Sequence, residues 1–286
     1  VIITCISETS WLDGDALKKN VDRAGGQSVD QWSVDWDESN SGGYSSLIEI
    51  EGLDGSRSTF LLDSGWNNAY MDAAFEREGI TGMLRRREIE FLYVTHEHFD
   101  HYFGIASVLK HYPDIAVMIP NTFHEKGLML LKGAEFPLSH AGNAFPHTGK
   151  LIRHDPGVIT TLYPGCASVT FDLDVPFGVR GEQSLFFNVQ HKGIVCVTGC
   201  WHQSIITFAE FARTMIKGGE DLYGLYGGLH IAPIGELDAK GEKTVEELGR
   251  YGFRKIACNH CTGPSAVRRM VELGYPVAGG SARNGS

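Results

Sequence analysis

The chain has 286 residues, 42% hydrophobic and 21% charged, with 35 glycines, a composition that excludes a disordered or fibrous protein and suits a globular one with many tight turns. Its formal charge of -10 argues against a nucleic-acid or anionic-membrane surface, since both depend on clustered Lys and Arg. No apolar run approaches the length needed to span a bilayer.

The first residues, Val1 to Ile6, read as an edge strand and not as a signal peptide, because they lack a basic flank and a long apolar core; the missing initiator Met leaves room for upstream trimming. Residues 9–43 are rich in Asp, Ser and Gly, with Trp11, Trp32 and Trp36 irregularly spaced, and read as a surface loop insertion forming a pocket wall. Residues 45–51 and 58–63 alternate as a hairpin around the turn signal Leu53-Asp54-Gly55-Ser56. Helices are predicted over 69–78 and 83–87, then a strand over 89–94. Residues 104–110 have helical spacing, with their positive dipole end toward the preceding turn. From 121 to 165 the periodicity breaks down, the pattern of a second irregular insertion. Strands return at 168–173, 184–190 and 193–198, followed by a helix at 206–217 and a strand at 221–230. Thr244 and Glu247 suggest a capping box for a helix closed by Gly252. A strand at 254–258 and a helix opened by Pro264 complete the chain. One domain, 1–286, is expected.

Within this order, Thr95-His96-Glu97-His98-Phe99-Asp100-His101 stands directly behind the buried strand. Imidazole nitrogens and carboxylate oxygens are the donors that zinc and similar divalent ions select, and leaving so many polar groups unpaired at a buried strand end is costly. In extended backbone His96 and His98 project to the same side and can share one ion. Asp100 and His101 follow the turn, point elsewhere, and suit a second ion.

Three later strands, led by Ile194, Leu222 and Ile256, also stop at polar turns carrying His. His202 reads as a ligand or as a hydrogen-bonded turn residue, and His260 likewise; His230 as a ligand, a general acid or base, or a substrate contact. Asp63 either accepts a ligand histidine's second N–H or caps its turn. Glu182 and Cys200 are permitted metal contacts. His124, His140, His147 and His154 fit pocket wall or surface better than ligation. Of the six cysteines, Cys196, Cys200, Cys258 and Cys261 sit at strand ends beside histidines instead of stapling loops, which points to a reduced, cytoplasmic setting. Cys258 and Cys261 have knuckle spacing but lack a second such pair, which disfavours a zinc ribbon.

The Thr-His-x-His-x-Asp-His run, preceded by a hairpin ending Leu62-Asp63-Ser64-Gly65, resembles the metallo-β-lactamase superfamily from Ser45 to about Met270. The resemblance implies an α/β fold, an αβ/βα four-layer sandwich, with a mononuclear or dinuclear metal site at one edge. Within the superfamily, Thr198-Gly199-Cys200-Trp201-His202, Gly227-Gly228-Leu229-His230 and His260-Cys261-Thr262-Gly263 resemble the dihydropterin-methyl-ribofuranosylaminobenzene-phosphate synthase subgroup. The chain departs from lactamases, glyoxalase II enzymes and many lactonases where they carry a Gly-His-Thr-type turn, here Glu182-Gln183-Ser184, and a bridging Asp, here Cys200 after Gly199. Flavodiiron oxidoreductases place Glu where His98 stands, which disfavours diiron oxygen chemistry.

The expected metal ligands are therefore His96, His98, Asp100, His101, His202 and His260, with Asp100 and His230 as catalytic groups. They would hold one or two zinc ions, with manganese or iron as alternatives. The leading expectation is hydrolysis of a small ester, lactone or phosphoester, with an anionic substrate in scope. The alternatives are a pyrophosphate-displacing transferase and a non-catalytic metal-binding sensor. The transferase needs a more cationic pocket, for which Arg85, Arg86, Arg87, Lys126, Lys132 and Arg153 are candidates. No nucleic-acid or membrane partner is expected, and the sequence leaves the oligomeric state open.

Overall fold

Alternation of apolar residues along Ser45–Glu51 (β2) and Arg57–Leu62 (β3) builds an antiparallel hairpin, Ile48 opposite Phe60 and Leu47 opposite Leu61. It lies next to one edge of the first sheet, with one edge strand outside it and the parallel strands beyond β3. The structure, a computed structural model, describes residues 1–8 and 11–278. Thr9 and Ser10, which begin the 9–43 stretch, and 279–286, which end the expected domain, lie outside the described residues. The chain divides into two compact units, Val1–Val158 with Thr170–Gln183, and Ile159–Val169 with Ser184 onward.

In the first unit the edge strand Ile2–Ser7 (β1) pairs with β2. Beyond β3 come Phe91–Tyr93 (β4), Ala116–Pro120 (β5) and, past the small pair Glu135–Phe136 (β6) and Ala141–Gly142 (β7), Leu151–His154 (β8). The six-stranded order is β1-β2-β3-β4-β5-β8, and the pairings from β3 to β8 are parallel. Both faces of β4 are buried, so it reads as a continuous apolar run. The helices are Gly14–Ala24 (α1), Asn68–Arg77 (α2), Ile80–Arg85 (α3), Phe99–Tyr102 (α4), Ala106–Leu109 (α5) and Glu125–Leu131 (α6).

Residues 11–43, the described part of the first insertion, are not a surface loop. The Asp13 side chain accepts the Asp15 and Ala16 N–H groups at 3.0 Å and starts α1, Leu17 and Val21 bury its inner face, and Gly25 ends it in the left-handed conformation. The Asp and Gly residues that suggest a loop are the caps of a helix. Trp32 and Trp36 are buried, 5% and 1% exposed. The 121–165 stretch likewise contains α6, the β6–β7 pair and β8, elements too short to impose a period.

The second sheet has the order β14-β13-β12-β11-β10-β9. Its strands are Ile159–Tyr163 (β9), Cys166–Val175 (β10), Val179–Val189 (β11), Gly193–Thr198 (β12), Leu222–Gly228 (β13) and Lys255–Asn259 (β14). β10 and β11 contribute residues to both units. In the second unit β12, β13 and β14 run parallel, with Thr198 beside Gly227 and Gly228 beside Asn259. Their helices are Ile205–Met215 (α7), Ala239–Leu248 (α8) and Pro264–Glu272 (α9). α8 starts before the expected capping box. Asp238 is its N-cap, accepting the Gly241 N–H at 2.7 Å, and the Thr244 hydroxyl bonds back to the Lys240 carbonyl at 2.9 Å. None of the six cysteines forms a disulfide, and no helix of the described residues is long and apolar enough to cross a membrane.

Candidate metal centre

In the first unit the chain leaves β4 at Tyr93 and enters α4 at Phe99, so His96 and His98 lie on the connecting segment while Asp100 and His101 lie in the first turn of the helix. All four are buried, between 0% and 5% exposed. The His101 ring lies beside that of His96, with centroids 4.1 Å apart, and does not point away from it; its Nε2 is 3.8 Å from Asp100 Oδ1. Glu182 is fully buried, and its Oε1 is 3.8 Å from His96 Nδ1.

Hydrogen bonds assign the ring protons. Asp63 Oδ2 accepts the Thr95 hydroxyl at 2.8 Å, so Thr95 Oγ1 accepts the His96 Nδ1–H at 2.9 Å. His101 Nδ1–H donates to the same Asp63 oxygen at 2.7 Å, and His98 Nε2–H to the Pro176 carbonyl at 2.8 Å. With those protons placed, His96 Nε2, His98 Nδ1 and His101 Nε2 are the ring nitrogens that carry a lone pair.

His96 Nε2 and His98 Nδ1 then face one another at 3.1 Å. Two lone pairs that close are held together by a proton or a metal cation between them. Two nitrogens bound at roughly 2.0–2.1 Å to one tetrahedral ion stand about 3.3 Å apart, so the donor set fits a divalent metal.

Asp63 sits just past β3 in the left-handed region (φ 58°), where strain is tolerated because its surroundings over-determine it. Its N–H donates to the Tyr93 carbonyl at 2.8 Å, and its Oδ1 accepts the Thr95 N–H at 2.6 Å. Of its two expected roles, the structure shows the support of a histidine tautomer. Burial pushes the Asp63 carboxyl well up, against the Thr95 hydrogen bonds and with the nearby Asp100 and Glu182 charges. The three donors converging on its oxygens, and any cation on the adjoining rings, favour the carboxylate.

Two residues to which the sequence assigns no supporting role hold this segment. Gln31 is fully buried; its Nε2–H donates to the Glu97 carbonyl at 2.8 Å and its Oε1 accepts the Phe99 N–H at 2.9 Å. Gln183 Nε2–H donates to the Val94 carbonyl at 2.7 Å, and the Gln183 N–H to the Thr95 carbonyl at 2.8 Å. Gln31 belongs to no recognisable motif and Gln183 stands in the run that replaces a Gly-His-Thr-type turn; for both, only long-range contact reveals the supporting role. Glu97, inside the motif, accepts the His124 N–H at 2.7 Å. Trp36 packs on Phe99 with ring centroids 3.9 Å apart, and Trp66 on Phe99 at 4.5 Å. A Cβ at Gly104 would lie 2.3 Å from the Ser64 carbonyl, so only glycine lets the turn after the motif seat there.

In the second unit, the parallel register of β12, β13 and β14 aligns three strand ends. They carry Cys200 and His202, His230, and His260 and Cys261. Cys200, His230 and Cys261 each present a donor atom within 4.8 Å of the others, and the His202 and His230 rings lie 4.4 Å apart. Trp201, His230 and His260 all have left-handed backbone, φ 55°, 45° and 53°. Burial raises the Cys261 thiol, but Cys200 and His230 beside it outweigh this and hold it below its ordinary value. Of the histidines expected outside the site, His140 Nε2 pairs with Asp35 at 2.9 Å, His147 Nε2–H donates to the Ile115 carbonyl at 2.7 Å, and His154 Nδ1–H donates to Gln183 Oε1 at 2.9 Å.

Residues 40–168 match the family model of the Metallo-beta-lactamase superfamily. The chain is similar to the 7,8-dihydropterin-6-methyl-4-(beta-D-ribofuranosyl)-aminobenzene-5'-phosphate synthase of Methanocaldococcus jannaschii, 24% identical over 257 residues, covering 80% of this chain and 84% of that protein. Among solved structures it resembles Tm1679, described as a metal-dependent hydrolase of the beta-lactamase superfamily, with a TM-score of 0.58 and 18% identity over 96% of this chain and 94% of that one. That likeness shows the shared fold.

Proposed function

We propose that this chain, which has the metallo-β-lactamase fold and whose residues 40–168 belong to that superfamily, is a metal-dependent hydrolase of a small ester, lactone or phosphoester. The observation that carries the reading is the pair of lone-pair nitrogens, His96 Nε2 and His98 Nδ1, facing one another at 3.1 Å. His96, His98 and His101 would hold the ion, zinc by donor type, with manganese or iron as alternatives. When bound, such an ion lowers the pKa of water toward neutrality and polarises the bond under attack.

The protein's own groups supply the rest. Asp63 keeps His101 in the Nδ1–H tautomer directly and His96 through Thr95, so both offer Nε2. Asp100, 4% exposed and at the start of α4, is the carboxylate assigned to orient the attacking water and take its proton. The surrounding Trp36, Trp66 and Phe177 side chains make an apolar shell in which such charges interact strongly. His202 and His260, the other expected ligands, are held on the second unit's strand ends.

The test is a panel of esters, lactones and phosphodiesters. Turnover abolished by EDTA, restored by zinc or manganese, and lost in His96→Ala supports hydrolysis; full activity in His96→Ala sinks it.

A second reading has one observation in its favour, the similarity to the Methanocaldococcus jannaschii synthase. On that reading the chain displaces pyrophosphate as an arylamine attacks, which needs a cationic pocket. Of the six candidate cations for such a pocket, Arg86 stands paired with Glu88, Arg87 with Asp114 and Lys126 with Asp30, so three are already neutralised by carboxylates. Pyrophosphate released from a ribosyl-pyrophosphate donor only when an arylamine is present would reverse the order.

A further inference from the structure

We infer that Cys200, His230 and Cys261 form a thiolate-rich site for a divalent metal, zinc by chemistry, on the strand ends of the second unit. The donor atoms of all three lie within 4.8 Å of one another, a spacing that one ion can bridge. Both cysteines are buried, 2% and 1% exposed, and His230 Nδ1 is a buried ring nitrogen with no hydrogen-bond partner. That nitrogen is costly left without a partner and satisfied by an ion, while the Cys261 thiol donates only a long bond, 3.7 Å, to the Cys200 carbonyl.

The backbone is built for the convergence. A Cβ at Gly228 would lie 2.6 Å from Cys261 Sγ and 2.5 Å from the Gly199 carbonyl, so the glycine makes room for β12 and β14 to bring their cysteines together. The Leu229 N–H donates to Thr262 Oγ1 at 3.0 Å and the Gly228 N–H to the Gly199 carbonyl at 2.9 Å, fixing the same three turns. His230 and the neighbours of both cysteines, Trp201 and His260, hold left-handed backbone, strain that persists where a site over-determines it.

Binding releases the two thiol protons to solvent, and two thiolates with a neutral imidazole leave the dication site neutral. Three protein ligands leave a fourth position open to water or substrate. The inference stands on second-unit residues alone, so it survives failure of the hydrolase reading.

The test is cobalt substitution of the full chain. A near-ultraviolet thiolate-to-cobalt charge-transfer band is expected in the wild type, kept in His96→Ala and lost in the Cys200→Ala/Cys261→Ala double variant, with bound cobalt falling by one ion per chain. Because that variant can fail to fold, X-ray absorption at the zinc edge of unmodified protein gives an independent readout. A sulfur shell at about 2.3 Å is expected. Only nitrogen and oxygen scatterers, or a charge-transfer band that survives the double variant, would overturn the site.

Discussion

Asp63 Oδ2 accepts the His101 Nδ1–H at 2.7 Å while the same oxygen accepts the Thr95 hydroxyl at 2.8 Å, so one buried carboxylate sets the tautomers of two histidines. Asp63→Asn replaces an acceptor-only group by one that must also donate, and three donors then compete for one carbonyl oxygen. We predict a roughly 10–100-fold loss of metal affinity, measured by competition with a chromophoric chelator. Unchanged affinity would count against the tautomer assignment.

Gln31 joins the Glu97 carbonyl to the Phe99 N–H from inside the core. Gln31→Leu keeps the volume and leaves both backbone groups without this partner. Each such buried group costs about 1–3 kcal/mol, so the urea midpoint should fall markedly. A shift below about 0.5 kcal/mol would show that the segment is held by other contacts.

His154 gives a pH dependence of defined sign. Burial lowers its pKa below 6.5, against the raising effect of its bond to Gln183. Between 6.5 and the folded value the unfolded chain binds the extra proton, so this contribution is fully present above pH 6.5 and is lost as the pH falls through that window. His154→Asn, which keeps a donor in the Nδ1 position, should lose less stability than wild type between about pH 7.5 and pH 5.5 in paired urea melts. An equal loss in both proteins would assign the dependence elsewhere.

Gly228→Ala places a methyl 2.5 Å from the Gly199 carbonyl, a backbone atom that cannot rotate away. Overpacking of this kind costs about 1–3 kcal/mol. The variant should also bind less cobalt, read from the thiolate charge-transfer band.

Metal removal should lower thermal stability. An ion at about 100 times its Kd adds roughly 2.7 kcal/mol to the folded state, equivalent to a rise of several degrees in Tm for a chain of this size. A scanning-calorimetry trace unmoved by chelator and by added zinc would mean that the folded protein does not hold the ion.

The elements legible in the sequence share a property: each is encoded within a few neighbouring residues. The β2–β3 hairpin follows from alternation and its turn residues, β12 from its unbroken apolar run, and α9 from Pro264 at its first position. The 11–43 stretch resembles a loop in sequence because Asp13 and Gly25 are loop formers in isolation and helix caps in place. The start of α8 is not legible locally because Gly241 disguises the turn capped by Asp238.

The sequence alone determined which atoms are available for metal chemistry, because donor type and local spacing are covalent facts: His96, His98, Asp100 and His101 within six residues, and Cys, His and Cys at later strand ends. Tertiary structure decided what those atoms can do. A ring nitrogen's freedom depends on where its other proton goes, and that proton goes to partners far along the chain, Asp63 for His101 and Pro176 for His98. The meeting of Cys200, His230 and Cys261 depends on the parallel register of three strands, a relation set by long-range backbone pairing and written in no single segment.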